Sequence, residues 1–422
     1  MKKSGGRYAW LALVLALELA TAGAVAGQPP TRIVLLIGDG AGVSYWTALA
    51  FAADNLAVSQ FKVMGLVDTR ATNSKVTDSA AAATAYASGI RTYNGAIGVD
   101  PDTVEVETVL EAAQVRGMAT GLVATCRVTH ATPAAFAAHV PSRNMEAAIA
   151  EQIVAHEVDV VLGGGRVYFD GTRRQDGRDL LAEIRREYTY VETAAELRGL
   201  DLTGVSRLFG LFALVDPPPA AEREPTLPEM TRAALAVLDR DPEGFFLMVE
   251  GSQPDWRGHE HEPLGAVVAE MRDFDQAIAE VLEYQRRNPE TLVVVLADHE
   301  TGGLAIQLEQ DSAAMAQAAA ELAGALNLVR NAGAAGDRPT SALADSTGYF
   351  MGRLARRLRR GAIRQGDSVS LVARYTTDGH TAQMIPLFAK GPGAERFGGI
   401  SDNYRIGILL LDTVRSEPVP AP

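Results

Sequence analysis

Ile33-Val34-Leu35-Leu36-Ile37 runs directly into Gly38-Asp39-Gly40-Ala41-Gly42, and this junction decides how the chain is read. Five consecutive apolar residues, most of them β-branched, describe a strand buried on both faces rather than one with a wet side. The glycines that follow mark a tight turn and leave Asp39 at the carboxyl end of the strand. The spacing is G-x-G-x-G, not the dinucleotide fingerprint, and an acid in that turn would repel a pyrophosphate. A metal ligand suits Asp39 better.

The same grammar recurs along the chain. Apolar runs at Thr120–Ala124, Val158–Leu162, Phe245–Val249, Leu292–Leu296 and Ile385–Ala389 read as further central strands. Helices are expected at Thr103–Arg116, Asn144–Glu157, Pro228–Arg240, Leu264–Arg286 and Ser312–Leu326. Strands alternating with helices predict an α/β three-layer sandwich, a mostly parallel central sheet flanked by helices. Pro217-Pro218-Pro219 reads as a loop rather than a domain linker. Acids and imidazoles follow the strands: Asp39 after the first, Glu250 and Asp255 after Phe245–Val249, Asp298-His299 after Leu292–Leu296. The carboxyl ends of the strands form the ligand crevice of such a sheet. Carboxylates gathered there without a cation would cost several kcal/mol each, so metal is expected.

Residues 1–26 read as a cleaved signal peptide: Lys2, Lys3 and Arg7, then the apolar run Ala9 to Leu17, then Ala24-Val25-Ala26. A periplasmic or secreted protein without a membrane anchor is expected, cut near Ala26, with residues 27–422 as one catalytic domain. Cleavage removes three basic residues and one acid, taking the formal net charge from −13 to −15. That excludes a nucleic-acid-binding surface and leaves an anionic substrate dependent on local positive charge. Cys126 is the one cysteine, which rules out an intrachain disulfide and reads as a buried, inert thiol.

Val76-Thr77-Asp78-Ser79-Ala80-Ala81-Ala82-Ala83-Thr84 sets polar capping residues before an alanine-rich run, so a helix should begin there. Alone this is an N-cap. In company with the other sites, Ser79 gains a second reading as a nucleophile beside free backbone N–H groups and the positive end of the helix dipole. In Glu250-Gly251-Ser252-Gln253-Pro254-Asp255-Trp256-Arg257-Gly258-His259, Pro254 suits a first helical turn. Asp255 and His259 then share one face at i, i+4, and His261 falls off it as a bystander. Asp298-His299 is structural or ligating. His380 precedes the last strand and is placed to complete a site. Arg143, after Pro141-Ser142 at an expected helix start, is a surface arginine or a phosphoryl clamp.

As an ordered set from about Arg32 to Gly399, these motifs resemble the alkaline phosphatase family: Asp39 in IGDG, Asp78-Ser79-Ala80, Thr132 in HATPAA, Arg143, Glu250 in VEG, Asp255-x₃-His259, Asp298-His299 and His380. The resemblance implies a phosphate monoester substrate, Ser79 as a transiently phosphorylated nucleophile that also touches metal, Arg143 as the phosphate binder and Asp78 as its orienter. It implies two Zn2+ ions, one on Asp255, His259 and His380 and one on Asp39, Asp298 and His299. A single Mg2+ would sit on Asp39, Thr132 and Glu250. A homodimer and a variable, crown-like insertion at about 304–376 are also implied; there the basic run Arg353 to Arg360 reads as a solvated helix face. His130 and Trp256 stand where the best-known bacterial pattern has an aspartate and a lysine. Both are expected beside the third metal, where they leave its identity open. The competing readings are a phosphodiesterase or sulfatase of the same superfamily, or a non-catalytic phosphate-binding protein. No C/S-x-P-x-R setting surrounds Ser79, and no ligand is missing.

Overall fold

The computed structural model describes residues 30–308 and 371–416. They fall into two compact units, the residues up to Ala305 with those from Tyr375 onward, and Ile306–Arg374. The signal segment, the expected helix at Ser312–Leu326 and the Arg353–Arg360 run lie outside the described residues.

The strands are β1 (Arg32–Gly38), β2 (Val63–Asp68), β3 (Ala119–Arg127), β4 (Val160–Gly164), β5 (Thr189–Val191), β6 (Leu208–Leu211), β7 (Phe245–Gly251), β8 (Thr291–Leu296), β9 (Glu300–Thr301), β10 (Ala305–Leu308), β11 (Leu371–Arg374), β12 (His380–Thr381), β13 (Ile385–Lys390) and β14 (Gly399–Asp402). The helices are α1 (Val43–Ala52), α2 (Ser79–Ser88), α3 (Val109–Val115), α4 (Ala131–Ala137), α5 (Glu146–Ala155), α6 (Leu180–Glu187), α7 (Ala194–Gly199), α8 (Leu227–Leu238), α9 (Gln253–His259), α10 (Leu264–Arg287) and α11 (Asn403–Arg415).

Ten strands form one sheet in the order β14-β2-β13-β8-β1-β7-β3-β4-β6-β5. Only β13 runs against its neighbours; every other pairing is parallel. The central strands β1, β7 and β8 are buried along their whole described lengths apart from Arg32, as near-continuous apolar runs require. α10 with α8 and α1, and α2 with α3, α4 and α11, pack as the flanking helical layers. Of the second unit, β10 and β11 pair as a separate two-stranded sheet.

All six expected strands are present. The expected helix at Thr103–Arg116 is corrected to Val109–Val115. Asp100 accepts the Asp102 and Val104 N–H groups and Thr103 is left-handed at φ 64, which makes a turn there. Helix then starts where Thr108 and Glu111 form a reciprocal capping box. Arg143 is likewise not at a helix start. α5 begins at Glu146, and Arg143 sits in a bridging segment whose N–H donates to the Gly95 carbonyl at 2.7 Å.

Candidate active site

Strand register builds the site. Ile37 lies opposite Glu250 on β7 and Leu296 on β8, and Ala124 of β3 lies opposite Glu250 on the other side. The residues just past these positions therefore emerge on one edge: Asp39, Glu250 to Asp255, and Asp298-His299. Gly40 makes the turn possible, with φ 69 and a hypothetical Cβ only 2.7 Å from the Asp255 backbone. Any other residue would be both strained and in collision there. The Gly40 N–H donates to Asp298 Oδ1 at 3.0 Å, which ties the ends of β1 and β8 together.

Two donor sets converge at this edge. In one, Asp255 Oδ1 lies 3.3 Å from His259 Nε2 and 3.5 Å from His380 Nε2, and those two nitrogens are 3.1 Å apart. Each imidazole uses its other nitrogen on a backbone carbonyl, His259 Nδ1 on Asp378 and His380 Nδ1 on Thr77 at 2.9 Å. With Nδ1–H donating outward, both Nε2 atoms face the same point, the arrangement that orients imidazoles for a metal. The expected i, i+4 geometry holds, since α9 spans Gln253–His259 with Pro254 in its first turn. In the other set, His299 Nε2 lies 3.6 Å from Asp39 Oδ1 and 3.3 Å from Asp298 Oδ2. The His299 and His380 rings stack at 3.5 Å, which joins the sets.

Ser79 is the first residue of α2, and Asp78 caps it by accepting the Ala81 N–H at 3.0 Å. The Ser79 Oγ stands 3.3 Å from His299 Nε2. Asp78 also reaches the arginine, with Oδ2 accepting from Arg143 Nη1 at 3.1 Å while Oδ1 takes the Gly95 N–H as well. Arg143 Nη2 donates to His130 Nε2 at 2.9 Å. His130 meets Trp256 edge-on, with centroids 6.4 Å apart. His130, Cys126 and Glu250 offer donor atoms that lie within 4.8 Å of one another, and Cys126 Sγ donates to Glu250 Oε2 at 3.3 Å. The thiol is buried as expected, and its place against Glu250 was not legible in the sequence.

Charge defines the environment. Asp39, Glu250 and Asp298 are fully buried, yet both Asp39 oxygens, Glu250 Oε1, Asp298 Oδ2, Thr132 Oγ1 and His130 Nδ1 have no hydrogen-bond partner among the described residues. Burial, reinforced by Asp298, Asp255 and Glu250, drives the Asp39 carboxyl far above its usual range. Burial likewise pushes Glu250 up to about 7 and Asp298 up to about 6. Asp255 resists the same burial, because the His259 hydrogen bond and the neighbouring imidazoles hold it below the carboxylate range. Its hydrogen bond in turn raises His259 to about 9. Burial lowers His299 and His130, keeping both imidazoles neutral with a lone pair to give.

Sequence reading missed several contributors. Thr301 Oγ1 bonds both Asp255 Oδ1 and His299 Nδ1, bridging the two sets. Its place two residues after His299 was the available signal. Asn94 accepts the Asp78 N–H at 3.1 Å and donates to the Val76 carbonyl, bracing the segment before Ser79; nothing in the sequence marks it. His261 joins neither donor set and instead stacks on Tyr375 at 4.8 Å.

A family model described as Alkaline phosphatase matches residues 31–414. Alkaline phosphatase 3 of Bacillus subtilis is 38% identical over 410 residues, covering 89% of this chain and 87% of that protein. The solved alkaline phosphatase from the Antarctic bacterium TAB5 superposes with a TM-score of 0.73 at 32% identity, over 92% of this chain and 99% of that one. A histidine-to-aspartate mutant of the TAB5 protein, with Mg bound in its M3 site, superposes with a TM-score of 0.74 at 31% identity, over the same shares of each chain.

Proposed function

We propose, for a chain that belongs to the alkaline phosphatase family, an exported metal-dependent phosphomonoesterase working through a phosphoserine on Ser79. The observation that carries the reading is Ser79 Oγ at the start of α2, 3.3 Å from His299 Nε2, beside buried carboxylates whose oxygens lack partners. Such oxygens suit cations of hard and borderline character. Asp255, His259 and His380 would hold one zinc ion, Asp39, Asp298 and His299 a second. Asp39, Thr132 and Glu250 would hold magnesium, and Ser79, whose Oγ lies beside His299, would touch the zinc held there. When bound, these ions lower the hydroxyl pKa and neutralise the attacking and leaving oxygens of an in-line displacement.

The chain's own residues do the rest. Arg143, fixed by Asp78 on one side and His130 on the other, presents its remaining N–H donors to the non-bridging phosphoryl oxygens. Ser79 Oγ, favoured as an alkoxide by the α2 dipole, gives its proton to solvent and forms a bond to phosphorus while the ester P–O bond breaks. The departing oxygen keeps the electron pair and takes a proton from solvent. Water then attacks the phosphoserine from the opposite side, Ser79 Oγ leaves with its pair and is reprotonated, and inorganic phosphate departs. Because His130 Nε2 accepts from Arg143, the neutral ring carries its proton on Nδ1, the atom left without a partner. A donor there suits water around the third cation better than direct ligation.

The same reading includes export through residues 1–26, one catalytic domain over residues 27–422 and a homodimer. Exposed apolar side chains on α1, β2 and β14, among them Phe51, Met64 and Ile400, support association. Among the described residues, no helix is long and apolar enough to cross a membrane. Purified protein assayed on a phosphate monoester, a phosphate diester and a sulfate ester, with metal analysis, tests the reading. Monoester turnover well above the other two, lost on chelation, is expected. Preference for the diester or sulfate ester would overturn it.

A further inference from the structure

A second convergence of ligand types lies away from the strand ends. It draws on three segments: Glu111 in the first turn of α3, His139 just after α4, and His156 at the carboxyl cap of α5. Their donor atoms all fall within 4.8 Å of one another. His139 Nε2 stands 2.9 Å from Glu111 Oε1, and His156 Nε2 stands 3.7 Å from the same oxygen.

Each group is held by a contact that leaves its ligating atom free. Glu111 Oε2 is committed to the capping box, accepting the Thr108 N–H at 2.7 Å, so Oε1 alone turns to the histidines. His139 Nδ1 lies 2.7 Å from the Gly98 carbonyl, which can only accept, so Nδ1 carries a proton and Nε2 faces Glu111. That backbone-carbonyl contact is the one that orients metal-binding imidazoles. The His156 carbonyl is fastened by Gln114 Nε2 at 2.6 Å. The rings are 5.9 Å apart and tilted at 51° rather than stacked. A protonated His139 paired with Glu111 would account for one imidazole but leaves the approach of His156 without a reason. One cation between them accounts for all three.

We propose that Glu111, His139 and His156 form a further zinc-binding site, separate from the strand-end donor sets. Two imidazoles and one carboxylate are a zinc ligand set with a fourth position open. Glu105 is near enough for its charge to act on both histidines. The consequence of such a site runs along the chain, since only three residues separate His139 from Arg143. Val140 and Ile97 exchange backbone hydrogen bonds in between, and the Arg143 N–H holds Gly95. Zinc therefore fastens the segment that carries Arg143 to α3 and α5.

The test uses the full chain, stripped of metal and dialysed against excess zinc, then washed and analysed for bound metal. His156→Ala should retain one zinc per chain fewer than the unmutated protein. Hydrogen exchange of residues 138–143, slowed by zinc in the unmutated protein, should lose that response. His156→Gln, which keeps a polar side chain at the cap, repeats the comparison should the alanine variant not fold. An unchanged zinc count in the folded variant, or slowing of residues 138–143 that survives the substitution, would overturn the site.

Discussion

Two clusters of buried charge in this protein obey opposite rules. Just before α8, Arg223 reaches Glu270 at 2.8 Å and Asp273 at 2.7 Å, both on α10, with all three side chains nearly inaccessible. That cluster is closed. Glu270 also takes the Ala220 N–H, Asp273 the Leu227 N–H, and Arg223 donates to the Pro218 carbonyl. At the strand ends, four buried carboxylates, Asp39, Glu250, Asp255 and Asp298, gather around imidazoles and one committed arginine, with oxygens left unpartnered. The first cluster satisfies its own polar groups within the polypeptide and therefore serves the fold. The second is left open by the polypeptide, and such unsatisfied burial is tolerable where a cation or a substrate completes it.

Metal removal should separate the clusters most sharply. Chelation is expected to reduce monoesterase activity to background while the Arg223 cluster keeps the chain folded. The sign of the pH dependence is then diagnostic. Asp39, Asp298 and Glu250 have raised native pKa values, the latter two at about 6 and about 7. Folded protein binds more protons than unfolded across that range, so their contribution is present at low pH and lost as pH rises through the native values. Asp255 acts oppositely, but its depressed pKa completes its gain near the ordinary carboxylate range. His299 and His130, held neutral by burial, oppose this up to about pH 6.5. Three raised carboxyls outweigh two imidazoles, so metal-free protein should lose stability between about pH 4 and about pH 7, followed by denaturant midpoints, and added zinc should cancel the loss. A flat midpoint across that interval would remove the charge argument.

Arg143→Ala should lower kcat/KM by roughly 10- to 1000-fold and weaken inhibition by inorganic phosphate. Arg143→Lys should not fully rescue, because a point charge cannot reproduce the fork. Phosphate inhibition unchanged in the alanine variant would place the arginine outside the site. The closed cluster should behave in reverse. Arg223→Met leaves two buried carboxylates unpaired and should cost about 3–5 kcal/mol of stability with kcat of the folded fraction unchanged. Loss of kcat in step with stability would mean the clusters are not independent. The smallest effect is expected at His130→Asp, which should tighten magnesium binding to metal-stripped protein, most clearly with Trp256→Lys, whose ammonium can pair with the new carboxylate. Equal magnesium midpoints in the single mutant, the double mutant and the parent would place His130 away from the third cation.

How much of this was legible depended on burial. β1, β3, β4, β7, β8 and β13 announced themselves because strands covered on both faces must be apolar throughout. β2 alternates half-buried and exposed positions, β5 has three residues, and β14 is largely exposed, so neither length nor pattern distinguished them. The ligand types at strand ends were readable one by one. Their pairings were not, because Arg143 meets Asp78 across 65 positions and Thr77 meets His380 across 303. The capping box that moved the start of α3 was present in sequence as Thr108 and Glu111, hidden by a longer helix-compatible run.

The central claim is that Ser79, set at the open cluster, carries the phosphoryl group. The direct measurement is acid quenching of the zinc- and magnesium-loaded protein with a labelled monoester, followed by peptide mapping. The label should appear on Ser79, and Ser79→Ala should lose both label and several orders of magnitude in kcat while zinc stays bound. Label on Thr77 or Thr84, or undiminished turnover by Ser79→Ala, would contradict the account.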